Sequence, residues 1–553
     1  MKRNQYILAA MAGLMASAPA AAQETYQDVK MAENDLTGSA RYVGMGGAME
    51  ALGADISTIS TNPAGVGLLR KSQVSLSFGV YAQSDAHNYT TFGGQRLDFD
   101  GKQSHPSFDQ VGVVWSLSSP RSRSYFNLAF NYHKSTDFGQ ILNAANRLSN
   151  ASQNKVTALA NYLGSPAWTA VDANYGGYKD NHGNYVGGLL TVGNEGLLYE
   201  TANSYLYGQY QKGYIGVYDF NISGSINNRV WLGLTVGYHD VNYRSNSSYL
   251  ETLDDGNIAN ASDYQKIDGG GFDVKAGVIF RPVEASPFRL GFYVNSPVFY
   301  DLTLRATSRI AMKGNNEPGT FTESGLDENK QPIMVEKPTY EKGEKTQSVD
   351  YSYCLNTPWR VGASLGHTVG NFLALGATYE YAWYDHMDNR VKDGGYYDYW
   401  SGSYYNTSSS DEAMNAHTRN TLKGVSTLKL GVEYKPISMV ALRLGYNYVS
   451  PMYEKNGTRD LSIGSNGTSA ATSTAYTNWE ATNRITAGVG FTYEKLFIDV
   501  AYQYSGQNGT FYPFMSYYEN GVNGAAHPND CDATGSKVSF KRHQLLMTVG
   551  YKF

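Results

Sequence analysis

The sequence predicts an all-β protein, a 14-stranded antiparallel transmembrane β-barrel with an N-terminal plug, or hatch, inside its lumen. Three observations support this prediction. Apolar and polar residues alternate along many short runs, the connections between these runs are alternately short and long, and a glycine-rich segment precedes the first run. The 553-residue chain contains 46 Tyr and 59 Gly but only 17% charged residues, a composition that favours strands and turns.

The N-terminus predicts export and the domain order. Lys2 and Arg3 precede an apolar run at 7–16, and three alanines before Gln23 form a small-residue cleavage site, which together are typical of a signal peptide. The apolar run is too short for a membrane helix, which needs about 20 residues. We therefore predict a signal peptide at 1–22, a hatch at 23–72 and an outer-membrane barrel with long extracellular loops at 73–553.

Alternation is the strongest signal. In the run 229–243, even-numbered residues such as Leu232 and Leu234 are apolar, whereas odd-numbered ones such as Gly233 are mostly small or polar. Successive strand side chains face opposite sides, so one face of this strand is apolar. The predicted strands are 73–83, 108–118, 123–134, 213–225, 229–245, 264–281, 287–311, 347–366, 371–388, 420–435, 439–453, 478–493, 495–507 and 537–553.

The connections place the barrel in a membrane. Short turns follow every even-numbered strand, and loops of about twenty to nearly eighty residues follow the odd-numbered ones, as in outer-membrane barrels. A soluble sandwich or propeller is the alternative, but it has no reason to sort long and short connections to opposite ends. The last strand ends in Phe553, which resembles the strand by which such barrels are handed to their assembly machinery, so we expect that machinery and outer-membrane lipid as partners.

Charged residues alternate with apolar ones on the predicted strands, so they are expected to project into the lumen. Both signs are present, and such a lumen can line a water-filled pore or hold a plug. These residues are Arg229, Asp273, Lys275, Arg281, Arg289, Arg360, Glu380, Lys429, Glu433, Arg443, Arg484, Asp499 and Lys552.

The segment 38–67 is the glycine- and alanine-rich part of the predicted plug. Its glycines and alanines allow close backbone packing. A helical turn is predicted at Ala48–Leu52, closed by Gly53, and Asn62 is expected to be extended because Pro63 follows it. The stretch 44–49 lacks the third glycine and the preceding strand of a dinucleotide loop, so nucleotide binding is not predicted.

The same segment resembles the FadL/TodX family of outer-membrane transporters of long-chain fatty acids and aromatic hydrocarbons. The resemblance rests on "GMGGA", "ADIS" and "NPAG" ahead of fourteen strands, and its hatch-motif residues are Gly44, Gly46, Gly47, Asn62, Pro63, Ala64 and Gly65. It implies capture of a hydrophobic small molecule at the outer loops, hatch-gated passage, and lateral exit at a kink in the third strand. Phe138 and Gly139 are the candidate kink.

Passive transport of hydrophobic small molecules is thus the predicted function, with no enzyme activity, no cofactor and no metal. A haem or hemin receptor and a general polar porin remain alternatives, and an outer-membrane hydrolase is a third. For that enzyme the candidates are His239-Asp240 and Asp385-His386, although neighbours on a strand face opposite sides. The net charge of −5 argues against nucleic acid. The stretch 141–164 in the loop after the third strand predicts one or two short amphipathic helices, and pairing of Cys354 with Cys531 is left open.

Overall fold

The computed structural model describes most of the chain. The described residues are 24–117, 122–162, 177–179, 185–186, 190–191, 197–254, 256–313, 321–326, 332–336, 339–340, 344–400, 402–460, 463, 474–518 and 530–553. The predicted signal peptide at 1–22 lies outside them.

Fourteen strands form one antiparallel sheet that closes on itself, because β1 pairs with both β2 and β14. The closing register joins Gln73 to Lys552 and Ser84 to Lys541. The strands are β1 Gln73–Ser84, β2 Ser104–Leu117, β3 Tyr125–Asp137 with Gln140–Ala151, β4 Ala202–Ile226, β5 Val230–Leu253, β6 Ile258–Phe280, β7 Arg289–Asn295 with Phe299–Lys313, β8 Glu344–Asn356 with Arg360–Val369, β9 Leu373–Ala382 with Asp388–Asp398, β10 Val425–Ile437, β11 Val440–Val449, β12 Tyr476–Tyr493, β13 Leu496–Tyr512 and β14 Ser536–Lys552. The predicted fourteen-stranded barrel is confirmed.

The connections follow the predicted order with one exception. Even-numbered strands are followed by short turns, for example 494–495 between β12 and β13. The exception is the connection after β5, where a loop of about twenty residues was predicted. Instead β5 and β6 continue as a hydrogen-bonded ladder and are joined by 254–257. The prediction was wrong there because these strands extend well beyond the roughly ten residues that cross a bilayer.

The outer loops carry short elements of their own. One or two amphipathic helices were predicted in the loop after β3, and one forms, α3 at Gln153–Tyr162, whereas the start of this stretch continues as strand. Helix α4, Glu412–Thr421, lies in the loop after β9. The remaining loop strands are Tyr89–Phe92, Gln95–Asp98, Gly177–Lys179, Tyr185–Val186, Leu190–Thr191, Leu197–Leu198, Phe321–Leu326, Pro332–Glu336, Thr339–Tyr340 and Ser403–Ser410.

Residues 24–69, here called the inner segment, contain four short helical elements: α1 Thr25–Ala32, α2 Ala40–Gly44, and the 3-10 helices Ile56–Ser60 and Pro63–Leu68. Each begins at a residue whose side chain accepts a backbone N–H, namely Glu24, Ser39, Asp55 and Asn62. Asn62 is extended, as predicted, but Pro63 starts a helix rather than a simple bend. The predicted helical turn at Ala48–Leu52 is present, and it is closed where Gly53 N donates to Met49 O at 2.7 Å.

The lower part of the barrel has an apolar outside. Outward side chains such as Phe220, Ile222 and Leu234 are at least half exposed, although they are large and apolar, and such a continuous exposed band is typical of a barrel that faces lipid. None of the helices among the described residues is long and apolar enough to cross a membrane.

Candidate functional site: the barrel interior

The inner segment lies inside the barrel. Its helix α2 packs against β11, β12, β13 and β14, and the 3-10 helix Pro63–Leu68 packs against β3, β4, β5 and β6 on the other side of the ring. Only a chain inside a closed ring can touch opposite walls at once. The segment rises from its lower end near Arg70, which donates to Asn228 in the β4–β5 turn, to Glu24 beneath the outer loops.

Four glycines on adjacent strands let the inner segment approach the wall. Gly366, Gly376, Gly431 and Gly445 are successive register partners on β8, β9, β10 and β11, and they are here called the glycine row. A Cβ on Gly376 would lie 1.9 Å from Ala48 O, and one on Gly445 would lie 2.1 Å from Gly46 N. Any side chain in this row would therefore occupy space that inner-segment backbone already fills.

The glycines of the predicted hatch motif lie against this wall. Gly46 and Gly47 have φ of 63° and 79°, a left-handed conformation that favours glycine. A Cβ on Gly46 would also lie 2.8 Å from Tyr446 N on β11. A Cβ on Gly44 would lie 3.4 Å from Gly488 Cα on β12. The structure thus brings these three motif residues together at one side of the ring.

The other motif residues lie across the ring. Asn62 Oδ1 accepts from Ala64 N at 3.2 Å, and its Nδ2 donates to Glu50 O at 3.0 Å. Pro63 and Ala64 fill the space in front of Gly233 on β5. Gly65 O accepts from Ala54 N at 3.0 Å. These bonds tie the end of the inner segment to its middle.

Ion pairs account for many of the lumenal charges. Lys429 on β10 donates to Glu50 of the inner segment at 2.8 Å, and both side chains are buried. Arg41 donates to Glu433 at 3.0 Å. Glu433 also accepts from Arg443, which in turn reaches Asp499 at 2.6 Å. Pairing is what makes such burial tolerable, because an isolated buried charge would be very costly.

The two halves of β3 meet at Phe138 and Gly139, the residues predicted to form a kink. Pairing between β2 and β3 ends at Gln110 and His133, although both strands continue above that level. Beyond that point β3 keeps its pairing with β4 but leaves β2. A gap in the backbone ladder therefore opens at this height.

Side chains and the inner segment span this gap. His105 Nε2 lies 3.0 Å from Asp137 Oδ1, and Lys134 Nζ donates to Ser107 at 2.6 Å. From inside, Asp35 N donates to Ser135 O at 2.9 Å, and Asp35 also contacts Arg542 on β14. Asp35 therefore connects β3 to β14 from inside the barrel at the height of the break.

The polarity of the wall inverts at the height of the gap. Below it the inward residues of β4 are polar, as at Asp219 and Asn221, whereas above it Val217 and Ile215 face inward. The neighbouring strands follow the same change, and their inward apolar residues form one buried cluster with Met31 and Phe138. The other members are Val241, Tyr243, Ile267, Tyr300, Leu302, Leu304, Ala306, Tyr353 and Leu355. The upper barrel thus has an apolar interior.

A cavity of about 310 Å³ lies between the inner segment and this upper wall. Phe138 is part of its lining and contacts Tyr243 edge to face, with ring centroids 5.0 Å apart. The apolar lining includes Val29, Met31, Leu36, Leu142, Val217, Val298, Tyr300 and Met452. Its charged lining includes Lys30, Glu33, Asp35, Arg360, Arg459, Arg484 and Arg542. The cavity is therefore amphipathic.

Outer loops roof the cavity. Thr25 Oγ1 of α1 contacts His417 Nδ1 at 3.0 Å and Thr418 Oγ1 at 2.9 Å on α4. The Tyr26 ring stacks on Tyr453, with centroids 5.0 Å apart. The first helix of the inner segment and the loops after β9 and β11 thus form one packed unit.

One carboxyl in the inner segment titrates near neutrality. Burial inside the barrel, together with the nearby carboxylate of Asp35, raises the pKa of Glu33 from 4.5 to about 7. The carbonyl of the same residue accepts from Thr136 at 2.7 Å, beside the break in β3. The charge of Glu33 therefore changes where the inner segment meets the gap.

The two residue pairs considered for a hydrolase lie in different local structures. His239 faces Asp273 at 3.4 Å rather than its neighbour Asp240. Asp385 and His386 do touch, at 3.1 Å, contrary to the strand argument, because they lie in a 3-10 turn at a break in β9. Within the described part of the chain no group of three or more His, Cys, Asp or Glu could hold a metal ion. Cys354 and Cys531 are free thiols.

No protein-family model and no curated protein matches the chain. Solved structures similar to it include a FadL homologue from Pseudomonas aeruginosa, with 13% identity over 94% of this chain and 99% of that one and a TM-score of 0.47. The toluene transporter TodX of Pseudomonas putida has 10% identity over 94% and 100%, with a TM-score of 0.45. The toluene transporter TbuX of Ralstonia pickettii has 12% identity over 94% and 99%, with a TM-score of 0.44.

Sequence reasoning missed the glycine row and the polarity inversion. Glycines were recognised only as small inward residues on single strands, and the row appears once the register joins them. The inversion was visible in the sequence, since β4 changes from polar to apolar odd-numbered residues at Val217. It was missed because each strand was assigned one apolar face over its whole length.

Proposed function

We propose that the protein is a passive outer-membrane transporter of hydrophobic small molecules with an apolar body, such as long-chain fatty acids. The observation that carries the proposal is the apolar interior of the upper barrel, which contains a cavity and lies beside the gap between β2 and β3. Moving apolar surface from water into such a cavity yields roughly 25 cal/mol per Å². Transport down this gradient needs no energy source.

The route has three stages. A molecule enters beneath the roof formed by α1, α4 and Tyr453, occupies the cavity against Phe138, and leaves sideways at the β3 break into the outer leaflet. Residues 23–72 act as the hatch that closes the lower barrel, through the glycine row and the buried ion pairs. Lateral exit spares the ligand a return to water.

Uptake of a fluorescent long-chain fatty acid by cells that lack their own transporter tests this proposal. Cells with the wild-type protein are expected to accumulate the probe faster than cells with an empty vector. Phe138→Ala should lower the rate several-fold, because it removes apolar contact area that the ligand would bury, at roughly 25 cal/mol per Å². Phe126→Ala, which removes a ring from the outside of the same strand, is the matched control and should leave uptake unchanged.

Uptake equal to the vector control would refute the proposal. A polar porin would instead pass sucrose at a rate independent of Phe138, and a haem receptor would bind hemin in preference to the fatty acid. Sucrose uptake and hemin binding are measured in the same cells to distinguish these two alternatives.

A further inference from the structure

The outside of β4, β5, β6 and β7 carries two parallel rows of side chains. The lower row, here called the aromatic row, is Tyr218, Tyr238, Phe272 and Phe299, which are direct register partners from strand to strand. All four rings are more than a third exposed. Aromatic rings at this kind of position mark the interface between a membrane and water.

The upper row, here called the basic row, is Lys212, Arg244, Lys266 and Arg305. These four are also direct register partners on the same four strands. Each lies six residues above its aromatic counterpart on the strand, so each points to the same outer side. With strands about 4.8 Å apart, four cations lie within roughly 15 Å of one another.

Among the described residues, half of the basic row has no acidic partner. Arg305 donates to Asp268 at 2.8 Å, and Lys266 contacts the same carboxylate. Neither Lys212 nor Arg244 forms an ion pair within the described part of the chain. Two adjacent cations are thus left to bind an anion from outside the chain.

The height of the basic row above the aromatic row indicates which kind of anion could reach it. Six residues of a strand span about 20 Å, which a tilt near 40° reduces to about 15 Å above the aromatic row. A phospholipid headgroup layer is only about 5–7 Å thick. Phosphates at the basic row must therefore sit on a headgroup that projects further, as a phosphorylated saccharide does.

Acidic residues between the two rows agree with this assignment. Asp240, Asp268 and Asp301 lie below the basic row on the same face. Asp301 pairs with Lys392 at 2.6 Å, and Asp268 pairs with Lys266 and Arg305. Asp240 is the third carboxylate between the aromatic row and the basic row. A carboxylate there disfavours an anionic headgroup lying flat against the bilayer.

We propose that the basic row is a docking surface for a glycolipid of the surrounding outer leaflet, one whose saccharide headgroup carries phosphates. Lys212 and Arg244 bind the phosphates directly, and Lys266 and Arg305 add positive potential. The inference rests on the membrane location in the proposed function but not on transport.

Binding to the detergent-solubilised full-length protein, measured by native mass spectrometry, tests the docking surface. The probes are a lipopolysaccharide whose core saccharide carries phosphates, the same glycolipid after dephosphorylation, and phosphatidylglycerol. Wild-type protein should retain the phosphorylated glycolipid in preference to both others. Lys212→Gln with Arg244→Gln should weaken that binding about 30-fold, since each cation near a charged surface contributes a few-fold or more.

The matched control is Lys537→Gln with Lys541→Gln. It removes the same charge from the outside of β14, where both lysines already have acidic partners, Glu480 and Asp85. Its binding should stay within about twofold of wild type. Equal losses in both double variants, equal retention of the dephosphorylated lipid or of phosphatidylglycerol, or displacement by inorganic phosphate at the same concentration would overturn the proposal.

Fatty-acid uptake separates this proposal from the proposed function. The Lys212→Gln/Arg244→Gln variant should transport at the wild-type rate. Loss of glycolipid binding with normal uptake supports the docking surface, whereas failure of uptake in the wild type refutes transport alone.

Discussion

The lower and upper halves of this barrel are built on opposite patterns. At the height of the exposed apolar band, the wall is polar inside and the inner segment is held by paired charges such as Glu50 and Lys429. Above the aromatic row the wall is apolar inside and charged outside. One continuous strand such as β4 serves both halves. Its odd-numbered residues face inward in both, but they are polar in the lower half and apolar around Val217 and Ile215 in the upper half, so no break in the backbone hydrogen bonds is needed. The face that carries the apolar residues therefore indicates, for each part of a strand, whether the outside of the barrel is in an apolar or a polar environment.

The largest expected effect breaks the lower half. Gly445→Val places a branched side chain where Gly46 N and the Met45 carbonyl carbon now lie within 2.5 Å. Backbone cannot yield as a flexible side chain does, so the inner segment should leave the wall and the pore should open. Single-channel conductance in planar bilayers measures this. Gly506→Val is the control, since its Cβ would meet only the far end of the Tyr504 side chain, and a closed pore in both variants would contradict the role of the glycine row.

A smaller effect is expected from unpairing one buried charge. Lys429→Met leaves the carboxylate of Glu50 buried without its cation, which typically costs about 3–5 kcal/mol. Hydrogen exchange at residues 40–55 should accelerate accordingly. The double variant Glu50→Gln/Lys429→Met removes both charges and should recover most of the protection. If the double variant exchanges as fast as the single one, the pair does not hold the inner segment.

The smallest expected effect is a pH dependence near Glu33, where the lower and upper halves meet. The pKa of Glu33 is raised in the folded protein, to about 7, so its neutral form favours the docked inner segment. The free energy of unfolding should be highest below pH 4.5, should fall as pH rises to about 7, and should be level above that. Exchange at residues 30–37, followed from pH 5 to 8, should rise in wild type more than in Glu33→Gln after correction for intrinsic rates. If exchange in the wild type and in Glu33→Gln changes with pH in the same way, titration of Glu33 is not the cause of the pH dependence.

Much of the architecture was predictable because its causes are local. The alternation of apolar and polar residues, together with the alternating short and long connections, predicted fourteen strands. Pro63 predicted the extended conformation of Asn62 before it. The ends of β4, β5 and β6 were placed too low, because strand length above the membrane depends on pairing with neighbours. Residues 141–151 belong to the stretch in which one or two helices were expected, yet they pair with β4, so tertiary hydrogen bonding overrode the local pattern there.

The candidate site was harder to predict. The position of Phe138 and Gly139 followed from the family resemblance, and the structure places the break in β3 there, but their part in ligand exit stays a prediction. The glycine row and the two outer rows depend on register across several strands. Register is a property of pairs of strands, and a single strand does not contain it.

The position of Tyr26 has a consequence for how the molecule is assembled. Its ring stacks on Tyr453, so helix α1 is enclosed by a loop that follows it by more than four hundred residues. Helix α1 cannot reach its final neighbours until most of the wall exists, and once β1 joins β14 the inner segment is encircled. Biogenesis must therefore close the wall around a segment that precedes every strand.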